Sequence, residues 1–244
     1  IHTLADQASP ELLAEAADDL GCRSIAFTYN DPVIFLEYAV DVAKECQKRG
    51  IDAVAVSAGY VNDEPRREFY EHMDAANIDL KAFTEDFYKQ LTVSELEPVL
   101  ETLEYLEHET DVWYEITNLV IPEENDGEAE IREMCEWVVD HLGRDVPIHF
   151  SAFHPYYKMD DKQRTPPSTL LRARRVARDA GIEYAYVGNI HDREADSTYC
   201  HACGELVIGR DWYELGEWHL DAEGCCEHCG AECAGVFEAD SPGD

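Results

Sequence analysis

The chain has 244 residues, 45% of them hydrophobic, enough for one large α/β domain and a small appendix. Asp and Glu number 53 against 19 Lys and Arg, and the resulting charge of −34 argues against nucleic acid and anionic lipid as partners. No stretch of about 18 apolar residues offers a membrane span and no signal-peptide pattern is present, so the expected location is the cytoplasm.

The acid excess runs along the whole chain, and only 6 of the 19 basic residues are Lys. That pattern is expected of a halophilic protein, whose self-repulsion is screened by a salt-rich cytoplasm.

Ser9-Pro10-Glu11 reads as the start of a helix that runs to about Leu20 and stops at Gly21. Residues 23–29 form a first strand, read as buried, that ends at Asn30-Asp31-Pro32. A helix then runs from Pro32 to about Arg49. A second strand at 53–57 ends at Ser57-Ala58-Gly59, and a helix follows Glu64-Pro65. The third strand is expected at 77–81, so that Asp79 and Lys81 face the same side. Two helical stretches cover about 84–109, and a fourth strand spans 112–118. An amphipathic helix at 128–142, a strand at 147–153 ending at His154-Pro155, a helix at 167–180 and a strand at 183–188 complete the series.

Six alternations of strand and helix imply a parallel sheet, open or closed into a barrel. Polar residues gather behind the strands: Asn30, Asp31, Ser57, Asp79, Lys81, Asn118, His154 and Asn189. Strand C-termini form the working rim of such folds. No Gly-x-Gly-x-x-Gly, phosphate loop or Gly-x-Ser-x-Gly is present, which lowers the claim of those reaction classes. Taken singly, Asp79 and Lys81 also read as a neutralised ion pair, and His154 as an ordinary turn residue.

Six of the nine Cys lie between 200 and 233. Cys200-His-Ala-Cys203-Gly and Cys226-Glu-His-Cys229-Gly are two Cys-x-x-Cys-Gly knuckles, with a hairpin-like stretch at Glu205–Leu220 between them. Two residues between thiolates let one metal take both, so Cys200, Cys203, Cys226 and Cys229 form a tetrahedral site in a structural zinc ribbon. Iron in the same site is the alternative metal, and Cys225 and Cys233 are rival ligands.

With these residues in hand the chain resembles radical SAM proteins, in particular pyruvate-formate-lyase-activating enzymes and, more closely, the radical SAM enzyme of the AmmeMemoRadiSam system. The resemblance is carried by Ala26–Pro32, Ala75–Lys81, Leu96–Leu103, Glu115–Pro122, His149–Pro155, Tyr186–Asn189 and Thr198–Gly204, in the family's order. It implies a partial (β/α) barrel of parallel strands at 1–195, the zinc ribbon at 196–237 and an acidic tail at 238–244. It also implies an activase-like enzyme that cleaves S-adenosylmethionine reductively at a 4Fe-4S cluster to a 5′-deoxyadenosyl radical. The substrate would be a protein or a small molecule, and a ferredoxin or flavodoxin would supply electrons. By position, Asn30 and Asp31 would lie near the methionine amine. Asp79, Leu80 and Lys81 would meet the polar end of the cofactor, and His154 its adenosine, with Ser57 and Asn118 as further cofactor-binding candidates.

This chain departs from the family in lacking the Cys-x-x-x-Cys-x-x-Cys loop that binds the cluster, whose ligands would lie upstream of Ile1. It also carries Asp31 where the family has Glu. Two readings follow: the body of a full enzyme, inactive by itself, or a shortened protein without a cluster. The competing functions are a non-catalytic zinc-ribbon α/β protein acting through a protein partner, and a metal-dependent hydrolase using Asp79 and His154.

Overall fold

The computed structural model describes residues 8–237, and the expected acidic tail at 238–244 lies outside them. The chain divides into two compact units. One is Ile1–Asp79 with Glu97–Tyr114, the other Leu80–Leu96 with Glu115–Asp244.

In the first unit, α1 (Pro10–Asp19) begins where the Ser9 hydroxyl accepts the Leu12 N–H. Then come β1 (Ser24–Phe27), a 3₁₀ turn over Pro32–Phe35, α2 (Leu36–Gln47) and β2 (Asp52–Ser57). The helix expected from Pro32 therefore opens with a tight turn, capped by the Asp31 carboxylate on the Val33 N–H. α3 (Asp63–Tyr70) and β3 (Ala75–Asp79) follow. Parallel pairing joins β1 to β2 and β2 to β3. Ala39, Val42, Ala43 and Cys46 of α2 bury one helical stripe, as their spacing requires.

Two expectations need correction here. The first strand is not buried, since within β1 only Phe27 is. It pairs with β2 alone among the described residues, so it is an edge strand with little to cover it. The third strand lies at 75–79 rather than 77–81. The register that sets Ala75 opposite Val54 and Ile78 opposite Ser57 uses up β2 before Lys81 is reached.

The second unit holds α4 (Glu85–Phe87) with a π turn over Tyr88–Thr92, while α5 (Glu97–Glu109) returns to the first. β4 (Trp113–Val120) runs two residues beyond Asn118. α6 (Glu128–His141), β5 (Ile148–Ala152), α7 (Pro167–Ala180) and β6 (Ala185–Gly188) complete the alternation. Strands β1 to β6 form one sheet in chain order, the topology of a partial (β/α) barrel. Along β4 and β5 buried and half-buried residues alternate strictly. Ile116, Ile148 and Phe150 go to the core, while Glu115, Thr117, His149 and Ser151 line the other face.

After α8 (Arg193–Asp196), β7 (Thr198–Tyr199), β8 (Leu206–Asp211) and β9 (Glu214–Trp218) form a separate antiparallel sheet. Its hairpin lies within the stretch marked by sequence, with Trp212 and Tyr213 at the tip. Val207, Ile208, Leu220, Cys200, Cys226 and Cys233 make its small core together with Tyr184, which comes from just before β6.

Candidate functional site

In the first unit, Asp31 and Ser57 are brought together from positions 26 residues apart. The Ser57 hydroxyl donates to Asp31 Oδ1 at 3.0 Å, and the Ala58 N–H donates to Oδ2 at 2.8 Å. With the Val33 N–H, three donors of the chain itself hold this carboxylate, leaving about one acceptor direction for a ligand. Ser57 also accepts the Gly59 N–H. Gly59 has φ +68°, and a Cβ there would lie 2.9 Å from Ile78 Cγ2. The Thr102 hydroxyl donates to the Gly59 carbonyl at 2.7 Å. Asp31 thus pins the loop after β2, which Thr102 of α5 supports from behind. Asn30 is exposed beside Tyr29, itself at φ +70°. Asp79 closes β3, half-buried.

In the second unit, Leu80 buries its side chain completely, so only its backbone is available to a ligand, and its carbonyl accepts Asn118 Nδ2 at 2.8 Å. The Lys81 carbonyl accepts Asn118 Nδ2 at 3.2 Å and Asn125 Nδ2 at 2.5 Å. Its N–H donates to the Tyr88 hydroxyl at 3.2 Å. Asn118 Oδ1 is buried without a hydrogen-bond partner among the described residues. His154 is exposed, with Nδ1 3.1 Å from the Pro155 carbonyl oxygen.

Sequence reasoning missed Asn125 and Thr102. Asn125 sits in the polar run Glu123-Glu-Asn-Asp-Gly127, which reads as a solvated loop. It is in fact buried, accepting the Ile121 N–H and donating to the carbonyls of Lys81 and Leu119. Nothing local marks one Asn in such a run as inward-facing.

The thiols of Cys200, Cys203, Cys226 and Cys229 converge with every Sγ within 4.8 Å of the others. Cys200 and Cys229 are 3.6 Å apart, Cys203 and Cys226 3.8 Å. Four thiolates about 2.3 Å from one metal ion make a tetrahedron with edges of about 3.8 Å. The donor set therefore fits a single ion. Burial works against ionisation of Cys200. The N–H groups of Cys203 and Ala202 and the neighbouring thiols outweigh it and hold Cys200 down to about 6. Cys225 and Cys233 lie outside this group, and no other cluster of three such ligands converges among the described residues.

The family model for the radical SAM superfamily matches residues 3–138, more than half of the chain. The chain belongs to the radical SAM superfamily. An uncharacterized protein of Methanocaldococcus jannaschii is 38% identical over 223 residues, covering 91% of this radical SAM chain and 66% of that protein. The chain thus spans just under two thirds of that relative's length. Among solved structures, a domain of the pyruvate-formate lyase-activating enzyme from Bacteroides vulgatus covers 68% of the chain, and 98% of itself, at TM-score 0.58 and 21% identity. Streptococcus suis SuiB bound to S-adenosylmethionine covers 78% of the chain, and 46% of itself, at TM-score 0.61 and 10% identity. At these identities the likeness is one of fold. No helix among the described residues is long and apolar enough to cross a membrane.

Proposed function

We propose that this chain is the S-adenosylmethionine-binding body of a radical SAM enzyme of the activase-like, AmmeMemoRadiSam kind, with a structural zinc ribbon at its C-terminal end. The observation that carries this reading is the family match over 3–138, which contains seven of the eight candidate residues. Asp31 presents one remaining acceptor direction toward an amine, its orientation set by Ser57, Ala58 and Val33. Asn30 lies next to it. Asp79 offers a carboxylate, Lys81 an ammonium and Leu80 its backbone to the polar end of the cofactor, with Asn118 and Asn125 fixing the Leu80–Lys81 path. The exposed His154 is assigned to the adenosine. A 4Fe-4S cluster held by cysteines upstream of Ile1 would supply the electron that cleaves S-adenosylmethionine to the 5′-deoxyadenosyl radical that abstracts hydrogen. A ferredoxin or flavodoxin would donate that electron.

The activating enzyme and SuiB, the latter also solved with its precursor peptide SuiA, favour a peptide or protein substrate over a small molecule. The four-thiolate site has no open position when filled, which suits a structural ion. Equilibrium dialysis of labelled S-adenosylmethionine tests the cofactor assignment. Binding should fall by about tenfold or more in Asp31→Asn and in Lys81→Met, each removing a charge from the contact. Unchanged binding in both variants, or an upstream reading frame without a Cys-x-x-x-Cys-x-x-Cys motif, would refute the proposal.

A further inference from the structure

Within the second unit a cavity of about 420 Å³ opens on the half-buried face of β5 and β6. Its lining includes Asn189 of the strand-end rim but none of the residues assigned to the cofactor and none of the four cysteines. Its floor is a stack. His149 Nε2 lies 2.6 Å from Glu115 Oε2, and the His149 ring stacks on Tyr186 with centroids 5.0 Å apart and planes 23° from parallel. Arg210, from β8, sits over the Tyr186 ring at 5.8 Å. Arg210 Nη1 donates to Thr198 Oγ1 at 2.6 Å, and the Tyr186 hydroxyl lies 2.9 Å from the same oxygen. The guanidinium is therefore held in place through one nitrogen. Its Nε and Nη2 have no hydrogen-bond partner among the described residues.

Asp196 also lines the cavity. Its half-buried carboxylate accepts from the Asp192 N–H, and burial pushes its pKa up, with the Asp192 carboxylate adding to the effect. Trp212 and Tyr213, at the hairpin tip, supply an aromatic wall.

A positioned guanidinium edge and a partly desolvated carboxylate in one small cavity are complementary to a molecule that carries both charges. The Nε–Nη2 edge of an arginine matches a carboxylate in bidentate fashion. An ammonium supplies further donors to a half-buried carboxylate that holds one backbone N–H. The volume is that of a small-ligand site. We propose that this cavity binds a small zwitterion of the α-amino-acid class, its carboxylate on Arg210, its ammonium on Asp196 and its side chain against Trp212 and Tyr213. The assignment does not depend on the radical chemistry.

Isothermal titration of the full chain with L-phenylalanine, N-acetyl-L-phenylalanine and L-phenylalanine amide, in KCl, tests it. L-phenylalanine should bind, and each analogue lacking one charge should bind about tenfold more weakly or worse. Asp196→Asn and Arg210→Lys should each weaken L-phenylalanine by a similar factor with the melting midpoint kept. The analogue series on the unaltered chain decides the matter even if a variant fails to fold. Absence of L-phenylalanine binding up to millimolar concentration, or equal binding of all three compounds, overturns the proposal. Competitive displacement by S-adenosylmethionine also overturns it, because the cavity would then belong to the cofactor site.

Discussion

Asn125 Nδ2 donates to the Lys81 carbonyl at 2.5 Å, tying the loop after β4 to the segment that follows β3. The same side chain accepts the Ile121 N–H and donates to the Leu119 carbonyl. One buried amide thus satisfies three backbone groups at two strand ends and sets where Lys81 leaves the sheet.

Asn125→Ala should therefore cost on the order of 2–4 kcal/mol, since it leaves buried backbone groups unpaired. Asn125→Asp should cost at least as much near neutral pH, because a carboxylate cannot donate to the Lys81 and Leu119 carbonyls. Urea unfolding at constant salt measures both. A midpoint within error of the unaltered chain would show that the loop is held by other contacts.

Gly59→Ala should cost about 1–3 kcal/mol, because it combines a left-handed backbone with a Cβ 2.9 Å from Ile78. If the loop after β2 helps to hold the cofactor, S-adenosylmethionine affinity should fall in the same variant. Dialysis alongside the melt separates loss of binding from loss of folding.

The ribbon should depend on a metal held by its four thiols. Its core is a handful of side chains with Tyr184, too few to hold the hairpin without the tetrathiolate site. Cys229→Ser and Cys200→Ser should release about one zinc per chain and open the stretch from Thr198 onward to protease, while the β1–β6 sheet keeps its own core. Metal analysis with limited proteolysis reads both effects. An unchanged zinc content after Cys229→Ser would move the site to Cys225 or Cys233.

Glu130 accepts the Phe83 N–H at 2.8 Å, yet burial dominates and pushes its carboxyl above the ordinary value of 4.5. The folded chain then holds this proton more tightly than the unfolded chain does. Its contribution to stability is present at low pH and falls as pH rises from about 4.5 through the raised folded value. Glu130→Gln keeps an acceptor for Phe83 and should flatten that fall. Melting midpoints of both forms from pH 4 to 7 should converge at the acid end and separate above it. Parallel curves over this range would contradict the sign.

A charge of −34 should make stability rise with ionic strength, because counterions screen the self-repulsion. Thermal melts from dilute buffer to molar KCl should show an upward midpoint. A flat or falling midpoint would end the halophilic reading.

The alternation of β1 to β6 with helices was legible in the sequence because periods of 2 and 3.6 residues are local properties. The apolar run 53–56 declares the strand β2, and Ala39, Val42 and Ala43 in α2 declare both their element and its buried face without knowing their partners. The four-cysteine site was legible for the same reason, since each Cys-x-x-Cys-Gly knuckle is closed within a few residues. Strand ends were less so. The limit of β3 at Asp79 depends on its register with β2, and the exposure of β1 depends on having one neighbour. Only the tertiary structure could decide which polar residues are occupied and which are offered. Asp31 reads as a wholly free carboxylate until Ser57 and Ala58 arrive from 26 and 27 residues away and leave it about one acceptor direction, and Asn125 reads as loop until Lys81 arrives from 44. Glu115, His149, Tyr186 and Arg210 have no common motif. Parallel pairing sets His149 beside Tyr186, and the hairpin places Arg210 on top of them. A hydrogen bond acts over about 3 Å, and sequence distance carries no information about which groups chain folding brings that close.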